Sequence, residues 1–181
     1  MKLHHTLLAS VTLLACLTAH AQTVSVSPPH TNVTVGDSFS VDILATGFPD
    51  KIFGGGFNLA FDPTILKLDG IVIPASWEFA VSTGLLDPAA GTVSDVYFNT
   101  FSAPIKGDFL TASLKFTAIG GGTSGIALSE SPSFPFGNEF ANAVAVTYVD
   151  GNVAVVPEPN SLTLLLVGIA CAGWATKRRQ G

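Results

Sequence analysis

The chain of 181 residues is 48% hydrophobic, only 12% charged, and carries a formal net charge of −5. Its two cysteines, Cys16 and Cys171, stand near the two ends, which leaves the middle with neither a disulfide nor a cysteine-based metal site. From residue 22 to 155, four lysines and no arginine meet twelve carboxylates, a formal charge of −8, and such a surface excludes a partner bound through phosphates, nucleic acid above all.

In chain order, residues 1–21 read as an export signal. Lys2 supplies the positive start, Leu7 to Leu17 the short apolar stretch, and Ala19-His20-Ala21 the small-x-small cleavage site. Leu13-Leu14-Ala15-Cys16 also fits a lipobox, so cleavage before Gln22 and lipidation at Cys16 both stand at this point. Residues 22–155 are enough chain for one domain with a single core.

That domain reads as all-β. Short runs alternate apolar and polar residues between clusters of Gly, Pro, Asn and Asp. Strands are expected at Thr23–Ser27, Ser38–Ala45, around Phe57, Leu59 and Phe61, at Leu66–Ile73, briefly at Trp77–Ser82, then at Thr92–Asn99, Phe109–Ala118, Ser124–Glu130, Ala143–Tyr148 and Asn152–Val155. The separators are turn chemistry, among them Gly54-Gly55-Gly56, Asp62-Pro63, Gly120-Gly121-Gly122 and Asp150-Gly151. The expected fold is an antiparallel β-sandwich or jelly roll of about nine strands.

At Gly56-Phe57-Asn58-Leu59-Ala60-Phe61-Asp62-Pro63-Thr64-Ile65-Leu66 the chain resembles the cohesin-type domain of bacterial surface proteins. Val35-Gly36-Asp37, Gly107-Asp108-Phe109-Leu110 with Leu114-Lys115-Phe116, and Asp150 to Val155 agree in order and spacing. The resemblance implies a cohesin-like sandwich over residues 22–155 and a non-catalytic receptor that binds through one sheet face. It assigns no contact residue. Independently of the family, Pro63 pre-sets a tight turn, Asp62 can accept backbone N–H groups two residues on, and Leu66 can close the end of the sandwich.

Catalysis finds little to work with. His30 is the only histidine of the domain, so nucleophile–base sets are hard to assemble and a His-rich zinc site is excluded; paired carboxylates remain, but they sit mainly at turns. No cofactor is implied. A structural calcium stays open, with Asp37, Asp42, Asp50 and Asp150 able to supply oxygens but no dense Asp-x-Asp-x-Asp loop to hold it. Three aromatics are candidate ligand contacts: Trp77, the only tryptophan of the domain, and Phe134 and Phe136 in the loop Ser131–Ala141. Trp77 is either a core plug or a sugar platform, and the loop is either folded over the core or an exposed apolar patch with Phe140.

The chain ends on Val156-Pro157-Glu158-Pro159, an apolar run of 14 residues from Leu162 to Ala175, and the basic cluster Lys177, Arg178, Arg179. As a helix the run spans roughly 21 Å, short of a hydrocarbon core of about 30 Å. It is uncharged and the basic cluster would act as a membrane stop, so the run from Leu162 to Ala175, within residues 156–181, is expected to form a transmembrane helix with the domain outside. These residues resemble the PEP-CTERM sorting signal of Gram-negative bacteria. The resemblance implies Pro157, Glu158 and Pro159 as a sorting motif, an exosortase-type sorting protease as partner, and a tail held at first in the inner membrane. The resulting expectation is an exported, non-enzymatic binding or scaffolding module of the cell envelope or extracellular matrix. Its partner would be an extracellular protein or, alternatively, a polysaccharide.

Overall fold

The structure, a computed structural model, describes residues 22–157 and residue 169. It contains twelve strands, in order β1 (Thr23–Ser27), β2 (His30–Thr34), β3 (Ser38–Phe61), β4 (Leu66–Val72), β5 (Ala80–Ser82), β6 (Leu85–Asp87), β7 (Thr92–Asn99), β8 (Ile105–Ala118), β9 (Gly122–Glu130), β10 (Gly137–Asn138), β11 (Thr147–Val149) and β12 (Gly151–Val156).

β3, 24 residues long, organises the fold because each half serves a different layer. Its first half pairs antiparallel with β8, from Ser38 opposite Thr117 to Ile52 opposite Ile105, and with β1, where Asp42 lies opposite Ser27. Its second half pairs with β7, from Gly54 opposite Asn99 to Ala60 opposite Thr92, and with β9, from Phe57 opposite Glu130 to Phe61 opposite Ile126. Register shifts around Gly47 and Phe48, with Gly47 at φ 76°, bend the strand between layers. One layer is β11-β1-β3-β8-β4; the other is β5 and β6 beside β7, then β3-β9-β12-β2. Two pairings, β1 with β11 and β12 with β2, are parallel, so the sandwich is mixed rather than wholly antiparallel.

The two layers meet through period-two burial. Val41, Ile43 and Ala45 from the first half of β3 point into the same core as Phe57, Leu59 and Phe61 from the second. Phe61 meets Phe116 of β8 edge-on at 5.3 Å, which joins the layers near the Asp62 turn. That turn is closed by Thr64 N–H donating to Asp62 Oδ1 at 2.8 Å, and Leu66 behind it is buried. Hydrogen bonds from the Thr64 hydroxyl and amide hold the Asp62 carboxyl below its ordinary value.

Two sequence expectations are corrected. Gly54-Gly55-Gly56 is not a turn but the middle of β3. Without side chains these residues let neighbours close in: a Cβ on Gly54 would lie 2.5 Å from Phe98 O, and one on Gly55 would lie 2.6 Å from the Phe136 ring. The second correction concerns the C-terminal transmembrane sorting helix. Among the described residues no helix is long and apolar enough to cross a membrane. The fold class that the described residues support is the sandwich alone, and the membrane tether, the exosortase-type partner, the PEP-CTERM assignment and the inner-membrane placement, which rested on that helix, find no support among them. The run is itself short for a span, about 21 Å as a helix against about 30 Å of hydrocarbon. Pro157 is exposed just after β12. Glu158, Pro159, Lys177, Arg178 and Arg179, like the leader expected at 1–21, lie outside the described residues.

Candidate functional site

The layer containing β7, the second half of β3, β9, β12 and β2 presents a flat outer face. Alternation sends Leu59, Ile126, Leu128, Val153 and Val155 inward. It leaves Asn58, Ala60, Gly125, Ala127, Ser129, Asn152 and Ala154 on the outside. In register, Asn58 lies opposite Ser129, Ala60 opposite Ala127, and Gly125 opposite Asn152. These side chains of β3, β9 and β12 are small and uncharged, so that part of the face has little relief, and His30 of β2 stands at its far end with Nδ1 3.0 Å from Asn152 Oδ1. None of β2, β5, β6, β7, β9 and β12 carries a lysine or arginine.

One border of this face is rigid. β7 bulges at Asp95, which sits at φ 58°. The bulge is pinned from both sides: Asp95 N–H donates to Asn58 Oδ1 at 2.8 Å, and Ser131 Oγ donates to Asp95 Oδ1 at 2.6 Å. Asn58 in turn donates to Glu130 O at 2.9 Å. The loop after β9 is thereby fastened to β3 and β7, and Phe134 stacks on Tyr97 with ring centres 4.1 Å apart. Tyr148 of β11 donates to Gly56 O at 3.3 Å, and burial, followed by the nearby Glu130 carboxylate, pushes its phenol up to about 12.

Between this loop and the β3–β7 pair lies an open cavity of about 430 Å³, lined by Phe53, Gly54, Tyr97, Asn99, Phe134 and Asn142 among others. Its lining is aromatic, amide and hydroxyl, and the Tyr97 phenol is its only ionisable group. That is a surface for contact, not for proton transfer.

The candidate contacts divide. Phe134 is half-buried beside the cavity. Phe136, 1% exposed, lies beneath it, packed on Phe48 at 5.5 Å and Phe98 at 5.6 Å. Trp77, 2% exposed, is in the core at 4.6 Å from Phe98, with its indole N–H donating to Leu110 O at 3.1 Å. The loop thus does both things the sequence left open: Phe136 covers the core, while Phe140 at its end is 68% exposed. The four carboxylates considered for calcium sit on separate hydrogen bonds, to Thr34 N, Ser113 Oγ, Asn138 Nδ2 and Leu128 N. Among the described residues no group of three or more His, Cys, Asp or Glu could hold a metal.

Sequence reasoning missed Asn58, Asp95 and Ser131. Their signal was faint: a polar residue between Phe57 and Leu59, and a carboxylate inside an apolar run. Gly55→Ala is expected to lower stability by about 1–3 kcal/mol, because the new methyl overlaps the Phe136 ring and lifts the loop. Urea unfolding checks this, and an unchanged midpoint would show that the loop yields freely.

No protein-family model matches the chain, and no curated protein does. Solved structures match its fold. The third cohesin of ScaC from Acetivibrio cellulolyticus, in complex with the ScaB dockerin, superposes with a TM-score of 0.61 at 21% identity, covering 75% of this chain and 99% of that one. A non-cellulosomal cohesin from the archaeon Archaeoglobus fulgidus gives 0.62 at 14% identity, covering 79% and 96%. The cohesin module of a family 33 glycoside hydrolase from Clostridium perfringens gives 0.63 at 12%, covering 76% and 98%. The domain is a β-sandwich with the cohesin fold.

Proposed function

We propose that this protein is an exported, non-enzymatic module that binds an extracellular protein across the flat outer face of β7, β3, β9 and β12. The observation that carries the reading is that face: small, uncharged side chains in rigid register, bordered by the pinned Tyr97–Phe134 stack. A face with little relief and low side-chain entropy loses little on docking, and an aromatic at its border supplies an anchor. Fold neighbours include cohesins in complex with dockerins, which supports a protein as partner. The leader at residues 1–21 supports export.

The test compares faces. The protein, immobilised, is exposed to the extracellular fraction of its own source culture. Ala127→Arg places a long charged side chain on the proposed face; Ser40→Arg does so on the exposed part of β3 in the other layer. Protein retained by wild type and Ser40→Arg but weakened at least about tenfold by Ala127→Arg is the expected result. Loss through Ser40→Arg instead would overturn it. So would a retained ligand that is polysaccharide and survives protease, which would make the module a carbohydrate binder.

A further inference from the structure

The same layer ends at an edge whose protection is confined to its two ends and to a break between β5 and β6. β5 and β6 form one broken strand whose only described partner is β7. From Phe79 to Leu86 the sequence is Phe-Ala-Val-Ser-Thr-Gly-Leu-Leu, eight residues with no charge and no proline. Phe79, Val81 and Leu85 are 66%, 49% and 78% exposed. Two other edges are guarded along their length: β4 by Lys67, Asp69 and a register shift, and β2 by the preceding Pro28-Pro29. Sheet edges left apolar and uncharged are templates for another strand.

The edge is also held ready. Glu78 Oε1 accepts Phe101 N–H at 3.1 Å and Ser102 N–H at 2.9 Å, which fixes the turn after β7. The Thr100 hydroxyl, with the amide and hydroxyl of Ser102, holds the Glu78 carboxyl far below its ordinary value. This turn sets Phe101 beside Phe79 at 5.7 Å, an exposed aromatic pair at one end of the edge. At the other end Asp87 Oδ1 accepts the amides of Ala89 and Ala90, at 3.0 and 3.1 Å. Each carboxylate is engaged through one oxygen.

We infer that this edge is a second binding site, for an extended strand of a protein partner with alternating apolar side chains and a basic residue at each end. Charge decides the occupant. A second copy pairing edge to edge about a two-fold axis would run antiparallel and set Glu78 of one against Asp87 of the other, between domains each of formal charge −8. A strand with cationic ends meets both carboxylates favourably, while its backbone completes the ladder and its apolar side chains meet Phe79, Val81 and Leu85. The inference stands apart from the flat-face reading and needs none of its residues.

The probe is a synthetic peptide, acetyl-Lys-Thr-Val-Thr-Val-Thr-Val-Lys-amide, titrated into the isotope-labelled protein. Saturable amide shifts confined to β5, β6 and the Phe79–Phe101 pair are expected. The peptide with Glu at both ends should bind about tenfold more weakly, as two exposed charge contacts are reversed. Val81→Lys or Leu85→Lys should weaken the Lys-ended peptide by at least about tenfold, with thermal stability unchanged, since both side chains are exposed. Absence of saturable shifts, or shifts on the flat face, would overturn the site. Equal binding of the Glu-ended peptide would overturn the basic-ended partner. A concentration-dependent mass that Val81→Lys abolishes would make the occupant a second copy.

Discussion

Trp77→Ala is expected to lower the unfolding free energy by about 3–5 kcal/mol, read as a fall of the urea midpoint and of Tm by on the order of 10 °C. The indole is 2% exposed and touches two rings, Phe98 at 4.6 Å and Phe109 at 5.5 Å. Its removal leaves a cavity between the layers and strands the Leu110 carbonyl that its N–H satisfied at 3.1 Å. Trp77→Phe separates these terms: most packing is restored, and a loss of about 1 kcal/mol for the hydrogen bond remains. If Trp77→Ala instead kept its stability and lost retention on a polysaccharide, the ring would be a sugar platform and its core placement would be refuted. A typical total of about 5–15 kcal/mol makes this substitution among the most damaging single changes available.

The loop after β9 gives the second large effect, as a contrast between two phenylalanines two positions apart. Phe136→Ser should cost about 3–5 kcal/mol, because a side chain 1% exposed leaves the Phe48 and Phe98 rings facing a void and puts a hydroxyl there. Phe134→Ser should cost only about 1 kcal/mol, the worth of a half-exposed stack on Tyr97. The expected pattern in one denaturation experiment is therefore a large shift for Phe136→Ser and a small one for Phe134→Ser. Binding runs the other way. Phe134→Ser should weaken retention of a partner on the flat face while leaving the fold intact. Equal stability losses would show that the loop is wholly core; losses in neither would show that it detaches from β3.

Much of this domain comes from local pattern. Alternation with turn residues at the joints is enough to place β1 and β7 residue for residue and to place β4, β8, β9 and β12 within a few positions, because a period of two with one buried face is a local property of the chain. The Asp62 turn is equally local, since its carboxylate reaches an amide only two residues away. The scarcity of nucleophile–base sets in residues 22–155 is visible in composition alone, with one histidine and no cysteine or arginine.

Long-range approach lies beyond such reading. Gly54-Gly55-Gly56 has the composition of a turn, and only the arrival of the Phe98 carbonyl, the Phe136 ring and Phe134 from distant parts of the chain makes it a strand. Trp77, Phe134 and Phe136 share an aromatic character that the sequence cannot rank by exposure; packing decides that two of them serve the core. Asp95 and Ser131 become a bracket only when β7 and β9 flank the same half of β3. The open edge from Phe79 to Leu86 likewise exists only because the topology leaves β5 and β6 outermost. An apolar run is the same string of residues in a central strand as at an edge, and the position that gives it consequence is set by the whole chain.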